Sequence, residues 1–478
     1  MKAYLLSFAF VGLCIAIALA AYKLGAQKKY TRKIVHILVG FEWVILYLFA
    51  PANIHTVLIC LVFTLLLLIS YIKKMLPMMS SDGENDPGTV YYGISMTLMS
   101  VVCYFLPNYM FAFGIAVFCT SLGDGFAGVA GYLAGKYNKV VFRNKTVVGT
   151  VCCFTVSLLS VFAFSQIFAL RISVANSIAI ALFVAGMELI SAWGTDNLSI
   201  PLLSGILSHA VIFYPEIISD CMIPIVLTPF VIAFVLAKGI LTRKGVLFAL
   251  LLDLCVSVSL GNFGFVYLLA FLLLSVAIDK VKNKRKGNQE LSKEKHDCRN
   301  SLQVVANGVV PACSAVLYLI FKNEVFLVAY IAGLAEAFAD TCASGVGSSS
   351  TKVYNIIGFR KIDAGLSGGV SLTGTLASLF AAFAFPMMAV FFGKINWFLF
   401  VLIAICAFLG NIFDSILGSL LQVKFKCVKC GKTTEEKMHC GTETVRFKGI
   451  KIIDNNAVNL LSTLFTSIAA GCLYVFIF

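Results

Sequence analysis

What this sequence has least of is charge. Only 13% of its 478 residues are Asp, Glu, Lys or Arg, against 60% that are hydrophobic. A soluble domain cannot keep that much apolar surface from water, so the soluble enzyme classes are excluded. A disulfide framework is missing too. Most of the 16 cysteines stand inside apolar runs, among them Cys14, Cys60, Cys103, Cys119, Cys255 and Cys406, and read as small hydrophobes. Polar linkers are nearly absent; the longest polar run, DKVKNKRKGNQELSKEKHDCRN at 279–300, has no aromatic residue. No Walker A loop occurs at the glycine-rich stretches, whose spacing differs.

What fills the chain is a succession of apolar runs of about 17–25 residues, each long enough to cross a bilayer. The first, AYLLSFAFVGLCIAIALAAY, ends like a cleavage site, yet its apolar core is too long for a signal peptide and its cations follow it, so it reads as the first span. Hydropathy gives about sixteen spans. The expected fold is therefore all-α, a polytopic integral membrane helical bundle. Net charge is +14, gathered in short loops. Each basic loop, from Lys23–Lys33 to Lys424–Lys451, follows an odd-numbered span, which puts these loops in the cytoplasm and both termini outside. Such loops attract anionic lipid and polyphosphates; no nucleic-acid partner is expected.

Two modules are expected, 1–238 and 239–478, the second with a cytoplasmic Cys/His loop at 424–454. Both halves show one order of features. Asp124 ends a span in GDGFAG, Gly149-Thr150 opens the next, and Asp196-Asn197 comes later; then Asp340 ends a span, Gly374-Thr375 lies in the next, and Asp454-Asn455 follows. Repeated order of this kind suggests duplicated architecture.

The densest chemistry lies in SLGDGFAGVAGYLAGKYNKVVFRNKTVVGT, residues 121–150. A carboxylate such as Asp124 inside an apolar run needs a wet cavity, a cation or a partner. The glycines around it, Gly123 included, either pack helices closely or let phosphate approach the backbone. Lys136, Arg143, Lys145, Thr146, Gly149 and Thr150 favour the second reading: Mg²⁺ takes carboxylate and phosphate oxygens, and phosphate takes cations and bare N–H groups at a helix start. Upstream, Arg32, Lys33 and His36 open the second span, either as plain basic anchors or as phosphate ligands, with Glu42 deeper. Downstream, Glu188 lies inside a span, and Asp196-Asn197 either caps a helix or completes a metal and hydroxyl site.

In the second half Asp340, Asp414, Asp454, Asn307 and Asn411 stand at or near span ends. GLSGGVSLTGT supplies Gly368, Gly369, Gly374 and Thr375 as bare backbone like an anion nest, with Arg299, Lys352, Arg360 and Lys361 as countercharge. Capping and packing are the alternative. CVKCGKTTEEKMHC presents Cys427, Cys430, His439 and Cys440, which fit a structural Zn²⁺ knuckle, although the adjacency of the last two is awkward; a reduced loop without metal is the rival.

These motifs carry two resemblances. RK-x-x-H at 32–36, GDGFAGVAGYLAGK at 123–136, RNKTVVGT at 143–150 and E…GTDNLSIPL at 188–202 resemble phytol kinase, in a superfamily with dolichol kinase and the CTP-dependent diacylglycerol kinase and distantly similar to phosphatidate cytidylyltransferase. The second half, from LTRKG at 241–245 through AFADTCASGVG at 337–347 and NIFDSILGSLLQ at 411–422 to IDNNAVNLLS at 453–462, resembles the family of phytyl-phosphate kinase and the transmembrane protein 19 group. That family usually carries a glutamate where this chain has Gly345; if that glutamate holds metal, either Glu336 substitutes for it or this half is weakened. The resemblances imply a bifunctional kinase using CTP or another nucleoside triphosphate with Mg²⁺. It would phosphorylate a long-chain isoprenoid alcohol to its monophosphate and then its diphosphate. Asp124, Glu188, Asp196 and Asn197 would act in the first half, with Lys136, Arg143 and Lys145 on the triphosphate; Asp340, Asp414 and Asp454 would hold metal in the second. A CDP-lipid-forming cytidylyltransferase and a secondary transporter are the other readings.

Overall fold

Inside lipid a backbone must satisfy its own N–H and C=O groups, and an apolar chain does so as helices. The computed structural model describes residues 1–75, 87–135, 138–285, 298–363 and 365–477, and helices dominate them. The chain divides into two compact units, Met1–Ala237 and Lys238–Phe478, beside the boundary read at 238/239.

The first unit runs α1 (Lys2–Lys23), α2 (Lys28–Val39), α3 (Glu42–Phe49), α4 (Ile54–Lys73), α5 (Gly88–Phe105) and α6 (Tyr109–Phe118). A π-helical turn, Cys119–Asp124, joins α6 to α7 (Gly125–Leu133). A small hairpin of β1 (Val140–Phe142) and β2 (Lys145–Thr146) leads into α8 (Val147–Ile167), followed by α9 (Val174–Ile190), α10 (Asp196–Phe213), α11 (Pro215–Ser219) and α12 (Met222–Ala237). The segment α6–α7 is the most enclosed in this unit. Its neighbour Trp43 is 1% exposed, stacks on Tyr47, meets Phe168 edge-on and donates Nε1–H to the Met110 carbonyl at 3.2 Å.

The second unit runs α13 (Arg243–Arg285), α14 (Ser301–Phe321), α15 (Glu324–Gly347), a two-stranded ladder of β3 (Tyr354–Asn355) and β4 (Gly369–Val370), α16 (Leu372–Phe391) and α17 (Trp397–Leu420). Four strands then form a sheet in the order β6-β5-β8-β7, from β5 (Lys424–Cys427), β6 (Thr433–Thr434), β7 (Met438–His439) and β8 (Thr442–Lys448), before α18 (Asn455–Ile477). Here α15 is the axis, with Leu327 to Ala339 buried without a break. A helix apolar all round is one surrounded by others, and its alanines and glycines let them come close.

Twelve described helices are long and apolar enough to cross a membrane, fewer than the sixteen or so expected. The causes are local. Residues 28–49 make two short helices that part at Gly40–Phe41. α9 and α12 are apolar but only 17 and 16 residues long. α13 counts once, although Gly261, at φ 59° and ψ −145°, breaks it midway.

Packing around Trp43 makes one stability prediction. A Cβ at Gly114 would lie 2.5 Å from Phe164 and 2.7 Å from the Trp43 ring, whereas nothing lies within 4 Å of one at Gly12. Gly114→Ala should destabilise by about 1–3 kcal/mol through overpacking, read as a lowered unfolding temperature in detergent, while Gly12→Ala leaves that temperature unchanged or raised.

Candidate functional site

The π-helical turn decides where Asp124 sits. Such turns bulge a helix by one residue and recur at functional sites. This one sets Asp124, 4% exposed, against α2. Lys33 Nζ reaches Asp124 Oδ2 at 2.6 Å and its carbonyl at 3.2 Å. His36 Nε2 lies 3.4 Å from the same Oδ2 and 3.2 Å from the Thr120 carbonyl. Glycines make this approach possible: a Cβ at Gly128 would lie 2.5 Å from Lys33 Cε, and one at Gly125 the same distance from Ile37. Gly123 similarly gives room to Ser157. So the glycine run seats the Lys33–His36 helix, the packing alternative of the two read from sequence.

Beside it lies a second charge group. Lys145, at the end of the hairpin, bridges Glu188 Oε1 at 2.7 Å and Asp196 Oδ2 at 3.2 Å, and is within electrostatic reach of Asp124. Asn197 N and Nδ2 donate to Asp196 Oδ1 at 3.1 and 3.4 Å. Glu188 Oε2 is buried and accepts no hydrogen bond. Residues as far as 164 positions apart in the chain, from Lys33 to Asn197, thus converge.

Three expectations are corrected. Gly149 N–H does not face outward, because it donates to Thr146 Oγ1 at 3.3 Å as that threonine caps α8; Val147 and Val148 donate to the Lys139 carbonyl and Asn138 Oδ1. Thr150 Oγ1 is buried without a partner in the first turns of α8, and Gly149 packs on Ala127. Arg143 turns away from the carboxylates and lies over the rings of Phe142 and Trp193. Lys136 falls outside the described residues.

A cavity of about 310 Å³ opens beside His36. Arg32, His36 and Asn197 line it together with Phe8, Ile15, Leu66 and Met96. Glu42 lines it as well; it is 3% exposed, faces Ser7, and neither carboxylate oxygen meets hydrogen-bond geometry. His36 and Glu42, six residues apart, would not share a face on one unbroken helix; the break at Gly40–Phe41 lets both reach the cavity.

The second unit gathers a different set. Glu336, 1% exposed, accepts from Thr463 Oγ1 at 3.0 Å through Oε2, while Oε1 has no partner. Asp414 accepts from Ser462 Oγ at 3.2 Å, and Glu336, Asp340 and Asp414 lie within electrostatic reach of one another. Asn307 accepts from Asn459, whose carbonyl takes the Ser462 and Thr463 hydroxyls, and Asn411 donates to Ser378 at 2.5 Å. A Cβ at Gly345 would run into Ile278, so no acidic side chain fits there without repacking, and Glu336 is the buried glutamate of this set.

Here too some expectations change. Asp454 is exposed and caps α18 through Ala457 N at 3.0 Å, apart from the buried acids. Arg299 pairs with Asp279 at 2.6 Å, while Lys352, Arg360 and Lys361 are exposed. Gly374 N–H donates to Ser371 Oγ as a helix cap, and Thr375 N–H to the Ser371 carbonyl. The Gly368–Gly369 turn does hold an anion, but an internal one: Glu435 Oε1 accepts from Ser367 N at 2.6 Å. Gly369 N–H closes the turn on the Leu366 carbonyl. Glu435 and Lys424, which is 7% exposed and donates to the Ser367 carbonyl at 2.7 Å, were missed from sequence because they read as ordinary loop charges. Burial pushes the Lys424 ammonium down, against the pull of Glu435.

Cys427, Cys430, His439 and Cys440 present ligand atoms all within 4.8 Å of one another, the one such group among the described residues. The backbone N–H of Cys430 is the main influence holding the Cys427 thiol down at about 6.

A family model described as integral membrane protein DUF92 matches residues 226–467, just over half of the chain. A phytol kinase of Synechocystis sp. is 33% identical over 219 residues, 41% of this chain and 92% of its own. An uncharacterised membrane protein of Methanocaldococcus jannaschii is 32% identical over 170 residues, covering 34% and 67%. Protein VTE6, chloroplastic, of Arabidopsis thaliana is 24% identical over 244 residues, covering 50% and 66%. No solved structure matches. With more than half its length matched by that one model, the chain belongs to the integral membrane protein family DUF92.

Proposed function

We propose that this protein is a membrane isoprenoid kinase that phosphorylates a long-chain prenol at the Asp124 site, from CTP or another nucleoside triphosphate, on the cytoplasmic side. The observation that carries this reading is His36, which touches Asp124 and also lines the apolar cavity. One residue therefore joins a phosphate-type charge cluster to a space suited to a hydrocarbon chain. The likeness to a protein named phytol kinase supports the same substrate class.

Phosphoryl transfer needs alignment and neutralised charge more than covalent chemistry. The alcohol oxygen bonds to the γ-phosphorus as the bond to the β-phosphate oxygen breaks, the nucleoside diphosphate leaves, and the hydroxyl proton passes to Asp124. Lys33 and Lys145, which hold carboxylates in this structure, turn to the incoming phosphate oxygens. Mg²⁺ takes one or two carboxylates plus phosphate oxygens, and Glu188, whose Oε2 is unpartnered, with Asp196 fits that donor set, which leaves Asp124 to the acceptor hydroxyl. When bound, the ion would neutralise charge between the β- and γ-phosphates.

In the second unit Glu336, Asp340 and Asp414 form the corresponding acidic set, with Glu336 Oε1 unpartnered. We assign it the second transfer, monophosphate to diphosphate, also with Mg²⁺. The repeated acidic arrangement supports a second active unit.

Purified protein given phytol, Mg²⁺ and CTP labelled at the γ-phosphate should yield labelled lipid, and CTP labelled at the α-phosphate should not. The reverse pattern would identify a cytidylyltransferase; no product with any triphosphate and prenol would remove the reading. Asp124→Asn should lower the first transfer by roughly 10²–10³-fold, while Arg143→Ala, on its two aromatic rings, should leave most of the rate.

Asp414→Asn should stop the sequence at prenyl monophosphate, visible by thin-layer chromatography. Diphosphate formed at the full rate by this variant would sink the assignment of the second unit.

A further inference from the structure

The sheet between α17 and α18 stands outside the phosphoryl-transfer reading and carries its own chemistry. We propose that Cys427, Cys430, His439 and Cys440 bind one Zn²⁺ in a closed tetrahedral centre, which through Glu435 holds the glycine-rich turn at 365–369 in place.

The geometry matches the metal. Zinc–sulfur bonds of about 2.3 Å and zinc–nitrogen bonds of about 2.0–2.1 Å put tetrahedral ligand atoms roughly 3.4–3.8 Å apart. His439 Nδ1 lies 3.4 Å from Cys430 Sγ and 3.2 Å from Cys440 Sγ, the second a few tenths of an ångström inside that spacing. The adjacency of His439 and Cys440 is solved by the backbone. Neighbours in a strand point to opposite faces, but Cys440 is left-handed at φ 52° and Gly441 follows at φ 73°, so the chain doubles back and both side chains reach one point. Gly431, at φ 72°, makes the matching turn after Cys430.

Charge agrees as well. Three thiolates and a neutral imidazole around Zn²⁺ leave one net negative charge, and Lys426, Lys429, Lys432 and Lys437 surround it in sequence. On binding, three thiols release their protons to solvent. Four protein ligands leave no open position, so the centre is structural.

Its mechanical reach follows from Glu435, carried between β6 and β7. One carboxylate oxygen takes Ser367 N–H at 2.6 Å and the other takes Gln422 Nε2 at 2.9 Å. The turn it holds packs Gly368 directly on the backbone of Ser419, so closely that a Cβ at Gly368 would sit 2.5 Å from Ser419 Cβ. Ser419 lies near the end of α17, one and a half turns past Asp414. Zinc thereby fixes the hairpin, the hairpin fixes the turn, and the turn fixes the end of the helix that bears Asp414.

Elemental analysis of the full chain, purified in detergent without chelator or nickel, should find about one zinc per chain. Cys430→Ser with Cys440→Ser should lower it at least about tenfold. Cys430 and Cys440 are exposed, yet in the wild-type protein both should resist alkylation until a strong chelator is added. Chelation should speed amide exchange at 365–370, and Glu435→Gln should do the same while keeping the zinc. Wild-type protein free of zinc, with both thiols alkylated equally fast with and without chelator, overturns the centre. Exchange at 365–370 unmoved by chelation overturns the link to the turn. Neither result bears on whether the chain transfers phosphate.

Discussion

An ionised carboxylate within an apolar bundle is costly without a cation or hydroxyl donors beside it, and the two acidic sets meet that constraint in different ways. In the first unit lysine does it: Lys33 holds Asp124, and Lys145 stands between Glu188 and Asp196. In the second, hydroxyls take part, with Thr463 donating to Glu336 and Ser462 to Asp414. The position before the capping residue shows the exchange. Lys145 precedes the α8 cap Thr146, whereas Val370 precedes the α16 cap Ser371.

That difference is set in a common plan. Each unit has an enclosed central helix carrying an acid, a two-stranded ladder, a helix capped by Thr or Ser with glycine three residues on, a helix with an acid in its last two turns, and a helix opening near Asp-Asn. Gly149 packs on Ala127, and Gly374 packs on Ala343. The same small-residue contact thus locks the capped helix to the central one in both units. In the second unit the Cys/His sheet occupies the connection that in the first is the short stretch from Ser191 to Thr195.

The helical membrane fold was legible in the sequence because apolar run length reports it directly. So were the acids, since an ionisable group inside such a run stands out. The partners were harder. Lys145 could be placed among candidate cations, but nothing in a linear pattern says that it bridges Glu188 and Asp196 while Arg143, two residues earlier, lies on Trp193. The glycines were ambiguous for a different reason. A residue without a side chain suits phosphate, a cap and a helix contact equally, and only the structure shows Gly149 in the last two roles. Glu336 was visible mainly through the unusual Gly345, and the crowding of Ile278 against that glycine supplies the physical reason.

The bulge at Cys119–Asp124 has a consequence for how this bundle can vary. A π-turn absorbs one extra residue and leaves the helical faces on both sides in register. Phe113 and Val117 stay in the core before it, and Gly125 and Gly128 still receive Ile37 and Lys33 after it. Scaffold and acid are in this sense mechanically uncoupled: removing a single residue would smooth the rod, keep both flanks seated and withdraw the carboxylate alone.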